Sequence, residues 1–280
     1  MKKLTVFCAA ACLAASAAAQ NHPDLHEVLD RQKGRNLIEI PKGTYTLDVR
    51  SNGPYKFHNL TDVHINGNGS TVICNNQEQA FSFYNCVRVE LRDLTIDYDP
   101  LCFTQGEITA VAEDGSWFDV RIDEGYPVTG LAANRVQFYD PQTRLLKRNS
   151  ITTYTSNYSA LKQLGHNLFR AVKNGTWSAG EQVGDLVVMD VKTDKPNAGV
   201  HTVMLNKCYN TKLENVTVYG SNTFSFFEKE GYANEYRNCV VDRGPMPQGI
   251  RPRLRSGNAD GIHSSQARKG PTVTGCKVGH

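Results

Sequence analysis

The chain is short of several things, and each shortage narrows what it can be. None of its eight cysteines falls in a CxxC pair, so a zinc site of the usual spacing is not expected. The formal net charge is only +3, and Lys2 and Lys3 supply two of those charges from a leader-like start. Without them the balance is +1, which gives no reason to expect nucleic acid or an anionic membrane as a partner. No apolar run has the length and character of a membrane span. Long amphipathic helical stretches are absent too. Only Asp24 to Gln32 has helical spacing, through Leu25, Val28 and Leu29, and it is expected to cap one end of the fold.

The first residues read as a signal peptide. Lys2 and Lys3 precede the apolar stretch Leu4 to Ala15, and Ala17-Ala18-Ala19 before Gln20 is a small-residue cleavage pattern. Residues 1–19 are therefore assigned to a leader cut near Ala19, with export to the periplasm or beyond. A lipoprotein reading through Cys12 is weaker, because Ala9 stands where a larger aliphatic is preferred. Cleavage would remove Cys8 and Cys12 and leave Cys74, Cys86, Cys102, Cys208, Cys239 and Cys276. An even count in an exported chain permits disulfides. Cys86, Cys208, Cys239 and Cys276 recur in one repeated phrase, however, which favours stacked, buried, reduced thiols.

That phrase carries the architecture. Asn59 to Asn66, Asn85 to Arg92 and Lys207 to Glu214 each read as a corner with Asn or Cys followed by a short alternating strand. Tyr236 to Val241 and Thr272 to Val278 repeat it with slippage. The first two copies lie 26 residues apart, the length of one coil of a β-solenoid. Asn tolerates left-handed backbone angles at corners, and no such coil buries its apolar face without neighbours above and below. The expected fold is all-β: a right-handed parallel β-helix over residues 20–99 and 200–280. An antiparallel sandwich is the rival architecture.

Between them the phrase disappears. Gly106 to Ala112, Trp117 to Ile122, Asn134 to Tyr139 and Asp185 to Val191 read as longer strands in hairpin order, and Tyr158 to Phe169 as polar with a short helix. Residues 100–199 are expected to form an inserted, barrel-like β-rich subdomain, either walling a cleft or only packing on the solenoid.

The densest run of chemistry-bearing residues is Arg253 to Ser265. Asp260 has Arg255 five residues before it and His263 three after, a setting in which a carboxylate can work as general acid or base. Asn-Ala-Asp-Gly is equally a plain turn. Arg251, Arg253 and Arg255 read as a solvated or substrate-facing loop. Arg255, His263 and Lys269 are candidates for binding sugar hydroxyls, and Glu228 and Glu230 for reaching the same face from the previous coil. Tyr219 and Phe226 offer rings for stacking, though apolar ladders between coils are their default role.

These segments resemble a family of bacterial, Bacteroides-like glycoside hydrolases, the exo-acting inverting α-1,3-galactosidases. The matching phrases are Ile40-Pro41-Lys42-Gly43-Thr44-Tyr45, Asp97-Tyr98-Asp99-Pro100, Phe103-Thr104-Gln105-Gly106 and Glu214 to Tyr219. Leu254-Arg255-Ser256, Asn258 to Ser264 and Arg268 to Pro271 are the most specific. The resemblance implies a β-helix with a β-rich insertion, no cofactor and no metal. Its substrates are glycans ending in α-1,3-linked galactose, of blood-group-B or linear type. It implies Asp260 as a candidate for activating water, with the general acid in an Asp-Asp pair on the next coil, or the reverse. Inversion requires the two carboxyls about 6.5–9.5 Å apart. The repeat places that pair just after His280, so the 280 residues are expected to end before the ladder does and to lack turnover.

Two other functions fit the same scaffold. A polysaccharide lyase or glycosidase acting on uronate polymers would use the arginine-rich loop, but clustered calcium carboxylates are not visible. A non-catalytic glycan-binding protein would need only the outer face.

Overall fold

A computed structural model of the protein describes residues 22–192 and 201–279. The expected leader, residues 1–19, lies outside the described residues.

The architecture is nearly all β, with two parallel sheets and one antiparallel sheet. The first parallel sheet stacks Leu37–Glu39 and Thr44–Leu47 on His64–Cys74, then Glu90–Tyr98 and Lys212–Tyr219. It continues through Glu235–Arg237 with Val240–Asp242, and then Thr272–Thr274 with Lys277–Val278. The second runs Tyr55–His58, Phe81–Tyr84, Val203–Asn206, Phe226–Lys229, Ile262–Ser265. The chain alternates between these two sheets, and each pass lands parallel to the one before. That pairing excludes an antiparallel sandwich for this part of the molecule. Matching corners lie 26 residues apart in the early rungs, as Asn59 and Asn85 do, and 23 apart at Thr211 and Asn234.

Alternation along each strand sorts the side chains. Ile65, Leu91, Leu213 and Tyr236 form one inward column, and Phe57, Phe83 and Leu205 another, all buried. Each fully buried side chain of this kind contributes about 1.5–3 kcal/mol, so the column is the main source of cohesion between rungs. Corners fall where the phrase puts Asn. Asn59, Asn85, Asn215 and Asn238 all have φ between 52° and 56°. Asn85 donates to the Asn59 side chain at 2.8 Å, and Asn215 to Asp93 at 2.9 Å, so the corner residues also bond along the stack.

The helix Leu25–Asp30 starts at Asp24, whose carboxylate accepts from the His26 amide at 3.0 Å. It buries Leu25 and Leu29 in the core shared with the first rungs. The cysteines Cys74, Cys86, Cys102, Cys208, Cys239 and Cys276 are free. They do not form a single stack. The Val87–Tyr209 bridge sets Cys86 beside Cys208 at the corner leaving the second sheet, whereas Val240–Lys277 sets Cys239 beside Cys276 at a bend inside the first.

The chain leaves the parallel sheets through a cis Asp99–Pro100 bond and enters a seven-stranded antiparallel sheet. Its spatial order is Thr153–Tyr154, Leu131–Tyr139, Leu186–Val191, Phe103–Val111, Trp117–Ile122, Leu168–Lys173, Tyr158–Gly165. No ladder joins the two end strands among the described residues, although Tyr158–Gly165 at one end lies against Leu131–Tyr139 near the other. The helix expected within Tyr158 to Phe169 is instead a strand. Tyr158–Gly165 pairs with Leu168–Lys173 as a hairpin, cross-strand pairing overriding a weak local pattern. Its separate core of Phe103, Phe118, Phe138 and Val188 also takes in Leu254, with Met246 and Ile250 packed against it. Those three belong to the long excursion between Asp242 and Ile262, which is where the candidate site lies.

Candidate functional site

The excursion is a loop with an interior. Arg253, Leu254, Arg255 and Ser256 are all buried. Arg253 lays both terminal nitrogens on the Asp97 carboxylate at 2.8 Å each, the bidentate fork that suits guanidinium and carboxylate. Gln105 holds the backbone on either side of it. Its side chain donates to the Pro252 carbonyl at 3.0 Å and accepts from the Leu254 amide at 2.8 Å. The Tyr126 hydroxyl donates to the Arg251 carbonyl at 2.8 Å. The arginine-rich segment is thus a seam between the parallel and antiparallel sheets. Arg251, which faces Asp123 at 3.2 Å, is its half-exposed member.

Arg255 was expected to meet sugar hydroxyls, and the structure corrects this. The residue is 2 % exposed. Its guanidinium lies 2.8 Å from Asp190, donates to Asn258 at 3.1 Å, and sits 4.9 Å from the Phe103 ring centroid. It is burial that withholds the guanidinium from a ligand on the outer face, since its Nε and Nη2 make no hydrogen bond.

Asp260 and His263 do come together. Asp260 is exposed, and its carboxylate lies 2.8 Å from His263 Nδ1. Against an ionised carboxylate, which only accepts, His263 Nδ1 is the donor of this contact. The His263 ring stacks on Phe224 at 4.2 Å and 2°, and His201 covers the other side of Phe224 at 4.8 Å and 7°. Phe227 tilts against both imidazoles, at 4.5 Å from His201 and 5.5 Å from His263. Burial, and then the charge of His263, hold the His201 imidazole below its ordinary value. The outcome is an outward row of rings with a carboxylate at its edge. Gly261, next to Asp260, has no room for a side chain: a Cβ there would stand 2.5 Å from Val278.

Glu228 does not reach this face. It pairs with Ser264 in the ladder, one residue out of phase with Phe227 and His263, and so points inward. It is fully buried, in the column below Leu205. Its carboxylate accepts from Asn234 at 2.9 Å and from Ser264 at 3.2 Å, and burial pushes the carboxyl above its usual range despite those bonds. Glu230 occupies a left-handed corner at φ 53°, with Lys207 4.0 Å away. Lys269 is exposed at another corner, 5.9 Å from the Tyr232 ring centroid. Asp260 pairs with His263 and with neither Glu230 nor Lys269. Phe226 is a buried ladder residue, as expected by default, and Tyr219 is half-buried.

The residues that sequence reasoning passed over are Asp190, His201, Phe224 and Phe227. Nothing local marks Asp190. The inward direction of Glu228, by contrast, was available, because residues two apart on a strand share a face and Phe226 was already assigned to the interior.

A separate cleft of about 420 Å³ opens between the antiparallel sheet and the start of the excursion, lined in part by Glu107, Arg121, Asp123, Glu124, His166 and Arg251. Its walls do not include Asp260 or His263. Among the described residues no group of three or more His, Cys, Asp or Glu side chains is placed to hold a metal ion, and no helix is long and apolar enough to cross a membrane.

No protein-family profile matches the chain, and no curated protein sequence does. Among solved structures it is similar to the tailspike protein gp49 from Pseudomonas phage LKA1, at 14 % identity with a TM-score of 0.25. That match covers 81 % of this chain and 38 % of the tailspike chain, and at such a score it carries no functional argument.

Proposed function

We propose that the protein is an exported exo-glycosidase built on a right-handed parallel β-helix, acting with inversion on terminal α-1,3-linked galactose. Regular alternation between two parallel sheets, with rungs of 26 and 23 residues, supports the scaffold. The right hand follows from the general preference of parallel crossovers.

The Asp260–His263 contact at 2.8 Å on the outward row of the second sheet is the observation that carries the chemistry. One imidazole N–H occupies a single acceptor site of the carboxylate, which keeps capacity to take a proton from water or a sugar hydroxyl. The half-buried Phe227 ring supplies apolar surface beside it, the composition that pyranose faces favour. Inversion requires a second carboxyl about 6.5–9.5 Å away. Glu228, directed into the core, is not that group.

The test is incubation with linear Gal-α-1,3-Gal and with the fucosylated blood-group-B trisaccharide, reading free galactose and, separately, ligand-observed NMR contacts. Binding of either glycan that is lost in Asp260→Asn supports the site, and galactose release lost in the same variant supports the reaction. Binding without release would favour a glycan-binding protein. Neither binding nor release sinks the proposal.

A further inference from the structure

We infer that the antiparallel sheet sets the position of Asp260 through a buried relay of Asp190, Arg255 and Asn258, so that Asp190 and Asn258 are positioning residues for that carboxylate. The inference deepens the glycan-site reading and rests on it for its functional meaning, though not for its geometry.

Asp190 is well placed to act as an anchor. It lies in Leu186–Val191, in the middle of the sheet, paired with Phe103 on one side and Ala132 on the other, and is 4 % exposed. Its two oxygens are divided between the partners. Oδ1 faces Arg255 Nη2 at 2.8 Å, and Oδ2 accepts from Asn258 Nδ2 at 3.0 Å. The other end of the Asn258 amide accepts from Arg255 at 3.1 Å and from Arg135 at 3.5 Å. Every neighbour therefore dictates the same orientation of that amide. Reversing it would turn NH₂ toward two guanidinium groups and a carbonyl toward a carboxylate.

Asn258 stands two residues before Asp260, next to Gly257, which bridges Ser221. Gly257 and Gly261 have no side chains, and Ala259 and Asp260 are exposed. On the far side the chain is fixed by the ladder, where Ser225 N donates to the Asp260 carbonyl and Phe226 N to Gly261. On the near side Asn258 N donates to the Ser221 carbonyl, and the side-chain relay ties the residue to the other sheet. Charge adds to the constraint. A single carboxylate here faces the guanidinium groups of Arg255 and Arg135, directly and through Asn258, and Arg255 Nε and Arg135 Nε find no hydrogen-bond partner of their own. Without the Asp190 charge, a buried arginine would be uncompensated and its loop driven outward.

The decisive variant is Asn258→Ala, which leaves Asp190 facing Arg255 and removes the amide that Asp190, Arg255 and Arg135 share. Long-range ¹H–¹⁵N correlation of the imidazoles reads the outcome. In the native protein His263 should appear as the Nδ1–H tautomer, held by Asp260. In Asn258→Ala and in Asp190→Asn it should shift to a mixture of tautomers. His64, whose Nδ1 lies 2.9 Å from Glu90 in an unrelated rung, should keep its native pattern and so report that the fold is intact. A native His263 pattern in folded Asn258→Ala overturns the relay. A changed His263 pattern in a protein that neither binds nor cleaves the glycans keeps the relay and removes the glycosidase reading.

Discussion

In the parallel sheets the interior columns run through Phe57, Phe83 and Leu205 or through Ile65, Leu91 and Leu213, and where a carboxyl enters them, as Glu228 does, it meets neutral partners. The antiparallel sheet buries charge differently. Lys173 pairs with Glu181 with both side chains fully covered, Lys147 with Asp185 at 2.6 Å, and Arg170 with Asp119 at 2.7 Å. Burial pushes the Lys173 ammonium down to about 8 even so. Part of the difference follows from how each sheet repeats. A ladder stacks each position on its own equivalent, so a charge in a column is surrounded by whatever the column is made of. Of the three pairs, Arg170–Asp119 is set opposite by the antiparallel register, whereas Lys173–Glu181 and Lys147–Asp185 draw on loop residues beside the sheet. Between the two regions, Arg253 and Arg255 bring the matching of signs to the ladder, one to Asp97 of the ladder itself and one to Asp190 of the sheet.

The comparison breaks first at the columns. Phe83→Ala should cost about 3–5 kcal/mol in urea unfolding, because the stacked neighbours Phe57 and Leu205 cannot close on the cavity without moving whole rungs. A loss below about 1 kcal/mol would mean that the rungs repack and the column is not the main support.

Next is the seam. Arg253→Met should lower stability by about 3 kcal/mol, since it strands the Asp97 carboxylate in the interior. Arg170→Met leaves Asp119, buried as deeply as Asp97, but removes a partly exposed guanidinium and should cost less than Arg253→Met. Equal losses in thermal melts would erase the distinction between seam and sheet.

Glu228 tests the ladder's intolerance of charge. Burial holds its carboxyl above the ordinary value of 4.5, so the folded chain keeps that proton to higher pH than the unfolded chain does. Stability from this group is therefore present below that value and is lost as the pH rises from 4.5 through the folded-state value. Glu228→Gln should melt higher than the native protein at pH 8, with a smaller gain at pH 5. A gain that does not change with pH would assign the effect to packing.

The smallest effect belongs to the corners. Asn85→Ala should cost about 1 kcal/mol, because alanine resists the left-handed backbone there, and Asn85→Gly should cost less. Chemical denaturation of both variants would check the order.

What the sequence determined by itself is everything that short spacing controls. Two-residue alternation chose which side chains of Phe81–Tyr84 and Val203–Asn206 face inward, and Asn at 59, 85 and 215 set left-handed corners. The 26-residue offset of the phrase is the offset of the rungs. Asp260 and His263, three residues apart across a turn, met for the same local reason. Other features were decided by tertiary structure alone. Arg255 turned inward because Asp190, 65 positions away in sequence, waits on a sheet whose docking no local pattern encodes. The cysteine phrase looked like one stack and became two, because inter-rung register rather than the phrase decides which copies are neighbours. Local preferences act over a few residues of backbone, whereas the partner of a buried charge depends on where a distant strand comes to rest.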